Sequence, residues 1–465
     1  MILIALLLIP FIAGLLCLVT KKHAGAIMVA ATLIDMLLGA YATFASPAIS
    51  EAYAYIPSLG ISLSLAASGI SAVLLLMCTL VFAAAAIANV YFMNGENPSF
   101  HALFGFAEAG AIGLFLTQNL FVLFLFWDVT IIAAFFMLFR FGGSDRRYAA
   151  TKFLIYSIAS SSMLLIGIML LYAYGGNTFD MHALAQGAAA MPIGMQTVIF
   201  ALLVVAFMVK MPMFPFHLWM PDAYAEAPPG TSALLAGIMS KFGLYGLFIV
   251  FNMLPIAQDY GKYFAELALF SIFYAALALV AQRDVKRAVS YASMIETGIL
   301  GFAIAGLAQV GLQGAAFGML SHALVITLLL LVAFAIEKSF GTANINNLLG
   351  VINESRFLAY SFLFGALAFA GFPLTTGFIT DLLVFLGSFS AFGIFGLLPL
   401  AALLLGAAYF VWIFQKSFVG THLKPRIISS PDWWLMLAMV FLAAVIMLIG
   451  SAPGSLLGFL SVIGV

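Results

Sequence analysis

The chain has 465 residues, 65% of them hydrophobic and only 7% charged, with a formal net charge of zero. That balance excludes a soluble domain and gives no basis for nucleic-acid binding; it is the composition of a polytopic membrane protein. Cys17 and Cys78 both lie in apolar runs, and no CxxC, metal-ligand cluster, GxGxxG or P-loop occurs. No disulfide framework, metal, nucleotide or redox-cofactor site is therefore expected.

At about 20 apolar residues per crossing, the sequence predicts about 14 transmembrane helices. The expected spans are 1–20, 25–44, 67–92, 100–117, 119–140, 149–174, 195–213, 231–254, 263–281, 286–308, 312–336, 357–390, 392–415 and 433–457. Residues 1–20 lack a basic start and a small-residue cleavage site, so they read as helix 1 and not as a leader. Helix 7 runs into Pro212, Pro215, Pro221, Pro228 and Pro229, five of the 16 prolines, and must break there. Segment 357–390 is too long for one crossing and holds Gly371-Phe372-Pro373 near its middle, so helix 12 is expected to be discontinuous as well. A broken helix survives in a membrane only where it is packed in protein or lines a wet cavity.

Basic residues set the expected orientation. Lys21 and Lys22; Arg140, Arg146, Arg147 and Lys152; Arg283, Lys286 and Arg287; Lys338 and Arg356; and Lys416, Lys424 and Arg426 all follow odd-numbered helices. They are 14 of the 17 Lys and Arg, which puts those loops in the cytoplasm and both termini on the other side. Lys262 sits in a loop after an even helix. Lys210 and Lys241 belong to no loop cluster.

Those two lysines share the apolar segments with isolated acids: Glu108 in FGFAEAGAIG, Asp128 in LFLFWDVTIIAAFF and Asp381 in GFITDLLVFLGSF. Glu296 and His322 complete the set. Ionisable groups at membrane depth point to function by default. A buried acid alone stays protonated and a buried lysine alone stays neutral, whereas together they stabilise each other's charged forms. A pair that opens and closes can therefore gate a proton. Two broken helices five crossings apart suit an inverted repeat, because an odd repeat length reverses orientation. The expected organisation is helices 1–3 (residues 1–99), a first repeat of helices 4–8 (100–255), a second of helices 9–13 (256–416), and helix 14 (417–465).

The run VKMPMFPFHLWMPDAYAEAPPGTSALLAGIMSKFGLYG (209–246) resembles the antiporter-like subunits of complex I and its relatives. So do RDVKRAVSYASMIETG (283–298), MLSHALVITLLLL (319–331) and GFPLTTGFITDLLVFLGSF (371–389). That family includes proton-pumping subunits of NADH–quinone and F420 dehydrogenases, membrane-bound hydrogenases, and Mrp-type cation/proton antiporters. The resemblance implies a relay: the helix-5 carboxylate falls on Asp128, the broken-helix lysine on Lys210, the helix-8 lysine on Lys241, the helix-11 histidine on His322 and the helix-4 acid on Glu108. Most members carry a lysine on helix 12, whereas the chain M type of NADH–quinone oxidoreductase carries an acid. Asp381 therefore looks like the chain M type, and Ile326 stands where the L type has a lysine. This sequence departs from the pattern with Asp in place of Glu on helices 5 and 12, Ser68 where many relatives have an acid, and Glu296 where many have a histidine.

The implied function is proton translocation in the membrane arm of a redox-driven pump, in a cell inner or plasma membrane. Other antiporter-like membrane subunits and a redox module would be its partners. Closing an Asp128–Lys210 pair would hold the lysine charged; opening it would push the proton toward Lys241 and Asp381. Other readings stay open: an Mrp-type antiporter subunit without a redox partner, or a non-pumping membrane anchor. Lys210 read structurally snorkels from a helix end, Lys241 pairs with Asp222 or Glu226, Asp128 caps a helix start, and His322 is a packing histidine.

Overall fold

The computed structural model describes residues 1–20, 22–45, 48–56, 60–93, 97–419 and 431–460. Lys21, Lys424 and Arg426 of the basic loop clusters lie outside the described residues.

Among the described residues thirteen stretches are long and apolar enough to cross a membrane, and one of them, Thr376–Phe418, is two helices in series. The crossings are α1 (Ile2–Thr20), α2 (Ala24–Phe44), α3 (Gly69–Phe92), α4 (Pro98–Leu116), α5 (Leu120–Phe141) and α6 (Arg146–Tyr174). Next come α7, broken into Ile193–Lys210 and Met220–Glu226, then α8 (Pro229–Met253), α9 (Ala257–Val280), α10 (Val285–Ala305) and α11 (Gln309–Phe340). Last are α12, broken into Arg356–Phe369 and Thr376–Phe392, α13 (Leu398–Ile413) and α14 (Trp433–Ser451). The all-helical membrane fold, the discontinuous α7 and α12, and their five-crossing separation agree with the sequence reading.

One element departs from it. Residues 49–67 form an antiparallel hairpin, β1 (Ile49–Ile56) with β2 (Ile61–Ala67), paired from Ile49 opposite Ala67 to Ile56 opposite Ile61 with a one-residue register shift between Ala54 and Ile56. The alternation Ile61-Ser-Leu63-Ser-Leu65 is the period-two pattern of a half-buried strand. The hairpin seats on α4 and α5 through Gln118 N donating to Ser64 O at 2.9 Å. Glu51 in β1 caps α1, accepting from Leu3 N at 3.0 Å and Ile4 N at 3.2 Å. Burial pushes its carboxyl up, but the Met1 ammonium, those two amides and the Tyr53 hydroxyl outweigh it and hold it below the usual range.

The breaks are built from local chemistry. After Lys210, Pro212 and Pro215 lack the N–H that would continue the helical ladder, and the carbonyl of Val209 is satisfied by Trp219 Nε1 at 2.9 Å. The second half of α7 is pinned by Asp222, which takes Lys152 and Arg287 at 2.8 Å each. Its last turn is capped by Lys286 Nζ on Ala225 O at 2.8 Å, a cation at a helix C-terminus. Read from sequence as a loop residue, Lys286 is in fact buried, and it also pairs with Glu337 at 2.7 Å. In α12 the turn passes through Gly371 and Leu374, both at positive φ.

α8 and α11 are buried along their whole apolar length, and α3 and α10 nearly so. α1, α2, α6, α9 and α14 turn large apolar side chains outward, among them Leu15, Leu37, Ile155, Leu277 and Leu448. The polar residues sit among the inner helices.

Candidate functional site

Seen from α5, the site begins with Asp128, partly exposed, which accepts from Ser161 Oγ at 2.7 Å. One turn earlier on α6, Ser157 Oγ receives Lys210 Nζ at 3.3 Å. Asp128 and Lys210 are therefore not in contact; the expected ion pair is open, with two α6 hydroxyls between its ends. Lys210 is fully buried, and its ammonium lies 5.5 Å from the Trp127 ring and 5.1 Å from the Phe153 ring. Aromatic faces stabilise a cation that has left its carboxylate.

The contact between α7 and α8 brings the second lysine close. Gly243 lies against the backbone of Phe207 and Met211, so α8 packs on α7 at the break, two residues from Lys241. Just before Lys241, residues Leu234–Met239 widen into a π-helical turn. The carbonyl of Ala236 turns inward and accepts both Ser240 Oγ at 2.7 Å and Lys241 Nζ at 2.9 Å. A single π turn inside an α-helix frequently marks a functional site.

Lys241 Nζ also makes a short contact with Nδ1 of His322 on α11. The opposite ring nitrogen, Nε2, lies 3.6 Å from Glu296 Oε2 on α10. A charged Lys241 donates to Nδ1, which places the imidazole proton on Nε2, toward Glu296. Beyond it, Glu296, His322, Ser321, Thr380 and Asp381 line a cavity of about 10 Å³, the room one water needs. The break in α12 shapes that cavity: Gly371 leaves no space for a side chain because the Asp381 carboxyl lies against it.

Of the sequence-derived residues, Lys241, His322, Glu296 and Asp381 come together in one cluster. Asp128 and Lys210 form a second, joined to the first across α7–α8. Neither suggested loop partner reaches Lys241: Asp222 holds Lys152 and Arg287, and Glu226 accepts the Asp145 amide at 2.9 Å. Glu108 stands apart on α4, buried and without a hydrogen-bond partner for either carboxyl oxygen. Sequence reasoning passed over Asp35, a lone acid in ATLIDMLLGA with the same signal as the others, and Ser157 and Ser161, which look ordinary in an apolar helix.

At the end of the bundle that carries the basic clusters, a cavity of about 400 Å³ opens. Its lining includes Gly142, Glu226, Pro229, Lys286, Glu337 and Lys338. Unpartnered buried polar atoms of Asn89, Thr231, Ser293 and Thr327 lie on the helices between that end and Lys241.

Residues 117–406 match the family described as NADH:quinone oxidoreductase/Mrp antiporter, TM. The chain belongs to that family. It is 33% identical over 437 residues to the F(420)H(2) dehydrogenase subunit M of Methanosarcina mazei, covering 90% of this chain and 88% of that protein. It is 30% identical over 412 residues to the NADH-quinone oxidoreductase subunit M of Rickettsia bellii, covering 88% and 83%. Its fold superposes on a chain of respiratory complex I from Thermus thermophilus with a TM-score of 0.91 over 99% and 98% of the two chains, at 23% identity. The family match covers α5–α12 whole, and with them both broken helices, both lysines and every residue of the two clusters.

Proposed function

We propose that this chain is a proton-translocating membrane-arm subunit of a redox-driven ion pump, a multi-pass protein of the cell inner or plasma membrane. The observation that carries the reading is the order of the polar groups. Two partly exposed acids, Asp128 and Asp381, flank the buried bases Lys210, Lys241 and His322, with Glu296 linking the last to Asp381.

Each step follows from the contacts. Ser161 and Ser157 carry donors and acceptors from Asp128 toward Lys210. With Asp128 held off by Ser161, burial disfavours the charge on Lys210, and its proton moves on to the Lys241 side. A proton arriving at Lys241 passes to Nδ1 of His322 as the ring releases its Nε2 proton toward Glu296. The gap of 3.6 Å is longer than a hydrogen bond, so this step needs a small closure or one water. From Glu296 the water-sized cavity leads to Asp381. The 400 Å³ cavity is the entry from the cytoplasmic side, and both termini lie on the opposite side. The N-terminal helices, the two five-helix repeats and α14 are the units that carry this path.

Partners follow from the same reading: other antiporter-like membrane subunits and a redox module. The experiment is mild-detergent purification of the native complex, with mass spectrometry of the co-eluting chains. Iron–sulfur, flavin or hydrogenase subunits are expected. A complex of membrane subunits alone, transporting in response to Na+ without an electron donor, would overturn the redox part of the proposal.

A further inference from the structure

A groove of about 230 Å³ lies on the outside of the bundle between the first half of α12 and α14. Phe357, Tyr360 and Phe364 line one side of it, Val440 and Ala443 the other, and Leu328 of α11, fully buried, is its floor. Tyr360 and Val440 are exposed, so the groove opens away from the protein. Its lining is apolar and sits on membrane-crossing helices, so its occupant is hydrocarbon or another helix and not water.

Size decides between those two. Phe357 to Phe364 spans about 10 Å along the helix axis, and a helix about 10 Å across would fill about 800 Å³ over that length. The groove has less than a third of that volume. A single acyl chain is narrow enough to lie in it. Gly365 packs on Leu329 of α11, so a chain seated there holds the first half of α12 against the helix that carries His322.

The mouth of the groove suits the other end of such a molecule. Arg356 precedes Tyr360 by four residues on α12, and Trp433 precedes Val440 by seven on α14. Each pair shares a helix face, so both stripes lead from the groove to the end of the bundle where the loop cations gather. Trp433 is exposed, and its ring centroid lies 3.7 Å from that of Trp434, an aromatic pair at interfacial depth. Arg356 is exposed and, among the described residues, forms no ion pair. The side chain of Asp432 does not cap α14, so the first-turn amides of that helix are left as donors. A guanidinium and free amides suit a phosphate. Glu354 and Asp432, likewise in no ion pair among the described residues, flank Arg356 and Trp433 in sequence and suit an ammonium. One headgroup carrying both charges meets all three side chains, whereas an anionic headgroup leaves two carboxylates repelling it.

We propose that the α12–α14 groove binds one phospholipid with an ethanolamine headgroup, its acyl chain between Phe364 and Val440 and its phosphate on Arg356. The test reconstitutes the intact complex in nanodiscs with a trace of phosphatidylethanolamine carrying a photoactivatable acyl chain. After illumination the cross-linked peptides are mapped, with Leu277 of α9, 68% exposed, as the reporter of bulk lipid. Cross-linking in the groove is expected to exceed that at Leu277, and unlabelled phosphatidylethanolamine is expected to compete better than phosphatidylglycerol. Ala443→Phe, which fills the groove, is expected to abolish the excess. Arg356→Gln, at an exposed position, is expected to lower it about fivefold, and it carries the test if Ala443→Phe fails to assemble. Groove labelling no greater than at Leu277, or unchanged in the variants, would show bulk lipid only. Stronger competition by phosphatidylglycerol would show an anionic-lipid site. A cross-link from Val440→Cys to another subunit would show a protein in the groove. Each of these results overturns the proposal.

Discussion

Lys241 is held by contacts that suit an ammonium and no other cation. Its Nζ sits between the Ala236 carbonyl and His322 Nδ1, in a space framed by a π turn. A guanidinium cannot make both contacts from that depth, and it does not release its proton. Lys241→Arg is therefore expected, like Lys241→Ala, to lower donor-driven vesicle acidification at least about tenfold, although the charge is retained. Acidification at the native rate in the Arg variant would show that Lys241 serves only as a fixed charge. Gly371 makes a second residue-scale case. Its φ is +68°, and a Cβ there meets the Asp381 carboxyl. Gly371→Ala is expected to destabilise the helix break by about 1–2 kcal/mol, seen as a lower unfolding temperature together with slower proton transport. At this scale the sequence was informative wherever a charge stood alone in an apolar run, as with Lys210 and Asp381. It was uninformative for Ser157, Ser161 and the Ala236 carbonyl, because hydroxyls and backbone groups acquire their roles only from neighbours on other helices.

At the scale of elements, proline and glycine made both broken helices legible, because each removes a hydrogen bond or permits a conformation that others do not. The π turn in α8 was not legible: Leu-Leu-Ala-Gly-Ile-Met has no residue that forbids an α-helix, and tertiary contacts with α3 and α11 impose the wider turn. The β1–β2 hairpin was hidden because attention to apolar length passes over a short alternating pattern. Its attachment is testable. Glu51→Gln removes the charge that caps α1, worth about 1 kcal/mol. Hydrogen exchange at Leu3 and Ile4 is then expected to quicken about fivefold at pH 7. Because the folded carboxyl is held below its ordinary value, this stabilisation is complete above about pH 4.3 and is lost as pH falls through the folded value. The two proteins are therefore expected to exchange alike at low pH. A difference that survives acid would assign the effect to shape and not to charge.

For the whole molecule, the count of crossings and the gathering of the loop cations at one end of the bundle followed from apolar length and basic loops alone. Lys338 bonding Tyr91 O at 3.0 Å and Lys416 bonding Asn346 at 2.5 Å place the ends of α3, α11 and α13 together, as alternation requires. Sequence could not show that the polar residues fall into two clusters, or that Glu108 stands apart from both, since each depends on how helices far apart in sequence pack. The central claim is that protons pass through the buried lysines. The most direct test is the number of protons moved per electron transferred by the intact complex carrying Lys210→Ala, with assembly verified on native gels. The account predicts an assembled complex that transfers electrons but moves fewer protons for each. An assembled Lys210→Ala complex with the native ratio would contradict it.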